Sequence, residues 1–399
     1  MQQYLNLLTA IKMNGTVKPP ARQNMPFTKG LFGYQIRCNL QEGFPLLTTK
    51  KINFKHILTE LMWFLRGDTN IKYLVDHNVN IWKEDAYQYY CKLLKNDGVS
   101  NADTMSLDEF KDVVSRNEHS EFVLESFDHV KPENYEYGDC GYQYGRVWRN
   151  WKHEEKNIFF GWLGEKSNSH VDQIKNLINS LQNTPESRRH IISAIDPAHD
   201  TELALYWCHC MAQFNCRPLS FEQRFELLNS FQLQKVDKLN KMEGLPEESN
   251  AHIVIYMNER MIPKYYLDCQ MYQRSCDVFL GVPYNIASYA LLTHILAKIC
   301  NMIVGDYVHT FGDVHIYQNH VPQVEEQLKR TPTKLPTLTI NDKFWNPNRH
   351  EDDIYSRLGS GTSEDLTLFF SSIHFDNFQL VGYEPQAFIK GDLSTGLSK

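Results

Sequence analysis

The run from Ile286 to Val304 is the most apolar stretch of the chain, and it lies between two segments, Tyr265 to Tyr272 and Asp306 to Tyr317, that read as β-strands. His294, Lys298 and Asn301 interrupt the run, so it suits a buried helix better than a membrane span. A helix that is apolar on most sides has to be covered, which commits this region to a globular core of helices and strands. At 399 residues with 42% hydrophobic content, the chain can bury such a core in one large domain or two ordinary ones.

Phe54 to Leu65 places Ile57, Leu58, Leu61, Met62 and Leu65 at helical spacing, and Gly67-Asp68 ends the run. Glu60 stands one turn from Ile57 and one turn from Phe64, so its carboxylate borders the apolar stripe. Two readings stand: a side chain that snorkels to solvent, or a desolvated carboxyl of raised proton affinity suited to proton transfer. His190 to Ile195 and Leu203 to Phe214 also read as strands. Period two then puts Cys208 and Cys210 on one face and His209 on the other, so the adjacent Cys208-His209 is not a catalytic dyad. No second cysteine pair at zinc spacing exists, and a metal site is not expected.

A formal charge of −7 gives no basic field for gripping DNA, although a local arginine cluster could hold one phosphate. Nine cysteines and an N-terminus without signal-peptide character lead us to expect a cytoplasmic protein with free thiols and no membrane contact. Segments near 87–136, 152–167, 218–250 and 341–364 read as insertions into a single domain spanning 1–399, because each is short for an independent core. The 87–136 segment contains a helical patch around Leu107 to Val114, the 218–250 segment is charged and helix-prone, and the 341–364 segment has surface-loop composition.

Chemistry concentrates in two short motifs. Tyr206-Trp207-Cys208-His209-Cys210 offers a candidate thiolate nucleophile. Gln273-Arg274-Ser275 through Asp277 to Asn285 gathers a cation, hydroxyl, carboxylate and amide, as a small anionic ligand would need. Arg188-Arg189 could add to a phosphate site or be an ordinary solvated pair. Asn285 offers the donor and acceptor that complement the 4-carbonyl and N3–H of uracil, and His315 and Tyr317 share one strand face from which a sugar hydroxyl could be held.

Taken in order with Phe44-Pro45-Leu46-Leu47-Thr48-Thr49-Lys50, Glu60 to Asn70, Ile81-Trp82, Tyr144-Gly145 and Gly312-Asp313-Val314-His315-Ile316-Tyr317, these motifs resemble the thymidylate synthase family over nearly the whole chain. The resemblance implies an α+β fold, a mixed sheet with flanking helices, and sheets of two subunits stacked in a homodimer. It implies deoxyuridylate (dUMP) as substrate and 5,10-methylenetetrahydrofolate as co-substrate. Cys208 matches the nucleophile that adds to C6 of the base, while Glu60, Tyr144 and Asn285 match the residues that manage proton transfers. Arg274, Ser275 and Arg22 match phosphate ligands within the subunit, Arg188 and Arg189 the pair supplied by the partner subunit. His315 and Tyr317 match the sugar contacts, and Gln273 also falls on the substrate side. Asp277 matches the pterin ligand; Trp82, Leu205, Leu280 and Gly281 match the folate wall, with Lys50 and Tyr284 on the same side.

Departures from the family pattern are equally specific. Arg22 is followed by Gln23-Asn24-Met25-Pro26 where the family has a Thr/Gly-rich loop. Asp85 stands where a second tryptophan usually adjoins the folate, Trp207 replaces the proline before the nucleophile, and the C-terminus runs on as Gly391-Asp392-Leu393-Ser394 to Lys399 where an apolar tail is usual. A polar lid and a carboxylate at Asp85 would admit water. The expected product is therefore 5-hydroxymethyl-dUMP, as for bacteriophage-type dUMP hydroxymethylases acting in the host cytoplasm, with thymidylate formation as the alternative. Asn285 argues against the deoxycytidylate hydroxymethylases, which resemble this chain but carry Asp there. A third reading, an inactive nucleotide-binding or RNA-binding regulator, is disfavoured by the joint presence of Cys208, Glu60, Tyr144, Arg274 and Asn285.

Overall fold

Alternation of buried and exposed residues along long strands builds the centre of the molecule. The computed structural model describes residues 1–20, 25–98, 105–116, 135–155, 158–159, 162–163, 167–228, 251–341 and 358–392. Strands β1 (Thr16–Lys18), β2 (Thr28–Asn39), β3 (Ile191–Ser193), β4 (His209–Pro218), β5 (Tyr265–Asp277) and β6 (Ile303–Tyr317) form one six-stranded sheet in the order β1-β2-β6-β5-β4-β3. Every pairing is antiparallel except β5 with β6, which makes the sheet mixed. The helices that matter to the site are α1 (Gln2–Asn14), α2 (Phe54–Leu65), α3 (Lys83–Asn96), α4 (Leu107–Arg116), α5 (Tyr144–Arg149) and α6 (Gly281–Ile299).

A parallel pair needs a long crossover connection, and α6 supplies it between β5 and β6. The expected apolar helix is thus present, shifted toward the N-terminus, because Gly281 to Pro283 open it and Asn301, at φ 51°, marks the turn into β6. Val282, Pro283, Ile286, Ala287, Tyr289, Leu291, Leu292, Ile295 and Leu296 are all buried, as expected for a helix that is apolar all round. Its polar interruption His294 is half-buried, and desolvation pushes the imidazole down to about 4.

The two faces of the sheet differ. Ile36, Ala212, Met271 and His309 lie side by side across the strands and are buried. On the other face Gln35, Thr310, Gln270, Tyr272, Gln213 and Met211 line up in register, with Gln35 and Gln270 both donating to Thr310. Tyr272 and Met211 are solvent-exposed there.

Several expectations are corrected. The strand expected from Leu203 begins only at His209, because Leu203 to Trp207 run as bends that tie back to Cys140, Tyr142 and Gln143. Strict alternation fails at the head of β4, where the pairing with β5 slips between His209 and Met211, leaving both His209 and Cys210 buried. The described part of the 87–136 segment joins the main core. α3 and α4 bury Tyr89, Tyr90, Leu94, Phe110, Val113 and Val114 in the main core. Residues 221–226 and 251–259 form helices, and Tyr256 and Met257 with Leu228 and Ile262 just beyond the helix ends make a small core of their own. The 341–364 segment gives way at Ser363 to a helix opened by a Thr362/Asp365 capping box; residues 342–357 lie outside the described ones.

Candidate active site

Glu60 sits in the middle of α2, a helix started by the Asn53 side chain accepting from Lys55 N. Only 9% of the residue is exposed, which excludes the snorkelling alternative. Burial pushes its carboxyl up to about 7, and a hydrogen bond from Trp82 Nε1 to Oε1 at 2.7 Å only partly opposes this. Trp82 caps the N-terminus of α3 and packs against Trp63, Phe64 and Tyr144 with ring centroids 5.4, 6.3 and 6.3 Å away.

Tyr144 opens α5, and Gly145 lets the α5 backbone approach the turn that follows α2. A Cβ at Gly145 would lie 2.2 Å from the Asp68 carbonyl oxygen. Gly145→Ala should therefore cost about 1–3 kcal/mol of stability as an overpacked contact, read as a lowered urea midpoint at unchanged slope; an unaltered midpoint would show that this approach is slack. The Tyr144 hydroxyl accepts from Cys208 N at 2.8 Å and His209 N at 3.0 Å, so the phenol fixes the bend that carries the candidate nucleophile. Its own ionisation is pushed well up by burial, with the nearby Cys208 adding to the effect.

Cys208 is only partly buried, at the turn into β4. Arg274 Nη2 approaches its Sγ at 3.8 Å, a cation placed to favour thiolate over thiol. Arg274 is itself held by Nε donating to the Trp207 carbonyl at 2.7 Å, Nη2 donating to the Tyr206 carbonyl at 2.8 Å, and the Tyr206 ring 4.7 Å from its guanidinium carbon. Trp207, in the position of the usual proline, is wholly buried with its indole donating to the Tyr142 carbonyl at 2.9 Å.

Gln273 on β5 donates from Nε2 to Asn285 Oδ1 and to the Ser275 carbonyl, each at 3.1 Å. Asn285 projects from the first turns of α6 and also engages His209, whose imidazole burial drives down to about 4. Asp277 Oδ1 accepts from the backbone N–H groups of Phe279 and Leu280 at 3.0 and 3.2 Å, shaping the turn into α6. Tyr284 is partly buried, with Glu60 among the groups acting on it. His315 and Tyr317 share a face of β6, ring centroids 5.0 Å apart, as period two requires.

The remaining expected residues are placed as follows. Lys50 is 3% exposed, with Nζ 3.6 Å from the centroid of the Phe279 ring and donating to the Phe279 carbonyl. Burial lowers its amine to about 7, against the opposing pull of Asp277. Asp85 lies partly exposed in the first turn of α3, and its charge acts on buried Cys140. Leu205 and Leu280 are partly exposed. Arg188 and Arg189 are exposed on the loop before β3. Arg22 and residues 393–399 lie outside the described residues, and so does any account of their side chains. Among the described residues no group of three or more His, Cys, Asp or Glu side chains could hold a metal ion, and no helix is long and apolar enough to cross a membrane.

A family model described as thymidylate synthase matches residues 2–395. The chain belongs to the thymidylate synthase family. A thymidylate synthase of Listeria monocytogenes serotype 4b (strain CLIP80459) is 38% identical over 350 residues, covering 86% of this chain and 91% of that protein. The thymidylate synthase of Staphylococcus haemolyticus (strain JCSC1435) is 37% identical over 367 residues, covering 91% of this chain and 89% of that protein. Family membership makes the chain an enzyme-family member whose relatives use dUMP and methylenetetrahydrofolate, and it accounts for the mixed sheet and α+β content. Two features of the site had no advance signal in the family motifs: the Tyr206 ring beneath Arg274, and His309, which contacts Gln273. The one sequence hint for His309 is its even spacing from His315 along a strand.

Proposed function

We propose that this protein transfers a one-carbon unit from 5,10-methylenetetrahydrofolate to C5 of dUMP through an adduct on Cys208, and that the reaction ends in reduction to thymidylate. The observation that carries the reading is the Cys208 thiol beside Arg274, joined through Tyr144 and Trp82 to a Glu60 carboxyl poised near neutrality. The thiolate adds to C6, and the electron pair displaced toward O4 makes C5 nucleophilic. Asn285 holds the base edge, and Glu60 with Tyr144 moves protons at the ring, a role for which a carboxyl near the working pH is suited. Arg274 and Ser275 hold the phosphate, His315 and Tyr317 the sugar. Thymidylate, not the hydroxymethyl product, is the main reading because relatives 37–38% identical over most of the chain are named thymidylate synthase.

Folate would supply the one-carbon unit and, in the reductive outcome, the hydride. The residues assigned to it suit a flat ring: Trp82 is fixed edge-on to Glu60, Leu205 and Leu280 are partly exposed, and a Cβ at Gly281 would meet nothing closer than 3.5 Å. Asp277 and Tyr284 border the same turn. A homodimer with Arg188 and Arg189 acting across the interface is supported by the exposed sheet face through Met211, Gln213, Gln270 and Tyr272.

A second reading, water capture to 5-hydroxymethyl-dUMP, is favoured by one observation. Gly391, beside Asp392, lies against Phe279 and Leu280, close enough that a Cβ there would come within 2.8 Å of Phe279 Cε1. A polar segment thus lies against the wall assigned to folate, three residues beyond Trp82 is the carboxylate of Asp85, and both would draw water inward. Turnover of dUMP and methylenetetrahydrofolate in 18O-water separates the outcomes. Stoichiometric dihydrofolate with unlabelled thymidylate is expected; tetrahydrofolate with 18O in the hydroxymethyl group would establish water capture, and Asp85→Trp should then return some flux to thymidylate. Binding of dUMP with no release of the C5 proton would leave only the regulator.

A further inference from the structure

We propose that His309 is a positioning residue that sets the orientation of the Asn285 amide through Gln273, and so makes the site select uracil over cytosine. The inference rests on the assignment of Asn285 to the base edge. His309 lies wholly buried in β6, its ring stacked on Phe311 with centroids 3.9 Å apart. Its Nε2 is 3.0 Å from Gln273 Oε1, and Nδ1 has no hydrogen-bond partner among the described residues. Burial, with His209 nearby, holds the ring well below its ordinary pKa, so it is neutral and carries one proton. That proton belongs on Nε2, because the opposite tautomer would press a ring lone pair against the Oε1 lone pairs.

The donor from His309 fixes Gln273 with its oxygen toward β6. Its NH2 group then has one orientation, and it donates to Ser275 O and Asn285 Oδ1. Gln273 is 3% exposed, so no water competes for these bonds. Asn285, which also engages His209, is thereby held with Oδ1 as an acceptor on the Gln273 side and its NH2 as the donor. Uracil needs a donor for O4 and an acceptor for N3–H, which this orientation supplies; cytosine needs the reverse. With the donor at 309 removed, Gln273 can turn its oxygen toward Asn285, Asn285 can turn in response, and the reversed amide suits cytosine. β5 and β6 are paired so that Gln273 lies opposite Phe311, one strand step beyond His309 on the same face.

The test compares kcat/KM for dUMP and deoxycytidylate in the whole enzyme and in His309→Phe, which keeps an aromatic ring on Phe311 and removes the donor. The dUMP preference should fall by about tenfold, the worth of one buried hydrogen bond, and His309→Gln, which restores an N–H donor, should recover it. A folded His309→Phe enzyme with the original preference, whatever its stability or kcat, would overturn the inference. Nitrogen-15 shifts of the wild-type imidazole give an independent check: a proton on Nε2 is expected, and one on Nδ1 would refute the proposed link even if no variant folds. Asn285→Asp is the control for the underlying assignment. A changed preference there with none in His309→Phe rejects only the His309 link, and no change in either rejects Asn285 as the reader of the base.

Discussion

Replacing Cys208 by serine should lower turnover by about 10,000-fold or more, the scale on which removal of a covalent nucleophile acts, while the protein stays folded and keeps its affinity for dUMP. A hydroxyl ionises far less readily than a thiol, so the nearby Arg274 cation cannot recover a competent nucleophile from it. The fold has little reason to object. Cys208 is only partly buried, and what fixes its turn is the backbone: N–H groups of Cys208 and His209 on the Tyr144 hydroxyl, and the Cys208 carbonyl accepting from Arg274 N at 2.9 Å. The proposed phosphate grip is equally independent of sulfur, since the Arg274 side chain is anchored by the Tyr206 and Trp207 carbonyls. Titration calorimetry with dUMP and steady-state kinetics on the same sample decide the matter: substantial residual turnover in Cys208→Ser would remove covalent catalysis from the proposal, and lost binding with intact folding would assign the sulfur to ligand recognition instead.

Local patterns made some of this legible. α2 appears over the residues whose spacing announces it, and the position of Glu60 beside the apolar stripe correctly raised the prospect of a desolvated carboxyl, because helical periodicity fixes which side chains face the core. Family motifs marked Cys208, Arg274, Gln273 and Asn285, and the structure brings them together: Arg274 reaches the thiol, and Gln273 bonds Asn285. What periodicity missed depends on tertiary pairing. The slip at the head of β4 buries Cys210 against the expected alternation, and only the register of β4 on β5 determines it. His309 reaches Gln273 through the β5–β6 register, and Tyr206 meets Arg274 where the Cys208 carbonyl accepts from Arg274 N just ahead of β4. The contact of Lys50 with the Phe279 ring and carbonyl likewise joins segments far apart in sequence, which no local pattern announces.

Glu60→Gln should cut kcat by about 100- to 10,000-fold, the range for a positioned acid–base group, and should make the protein more stable above pH 7. The two effects share one cause. Burial raises the carboxyl from 4.5 to about 7 in the folded protein, while in the unfolded chain it titrates as an ordinary glutamate. Below about pH 4.5 both states hold the proton and the site carries no penalty. Between that value and about 7 the unfolded chain gives up its proton and the folded protein keeps it, so stability falls as pH rises. Above about 7 the loss is complete and amounts to roughly 3 kcal/mol, at about 1.4 kcal/mol for each pH unit of displacement. A glutamine fills the same volume and can accept from Trp82 Nε1 without ever bearing charge, so the urea midpoints of variant and wild type should separate progressively from pH 5 to pH 8, and the limb near pH 7 in the wild-type kcat profile should vanish. Parallel stability curves across that window would show that Glu60 titrates normally, and a buried carboxyl near neutrality could then no longer be the proton carrier of this site.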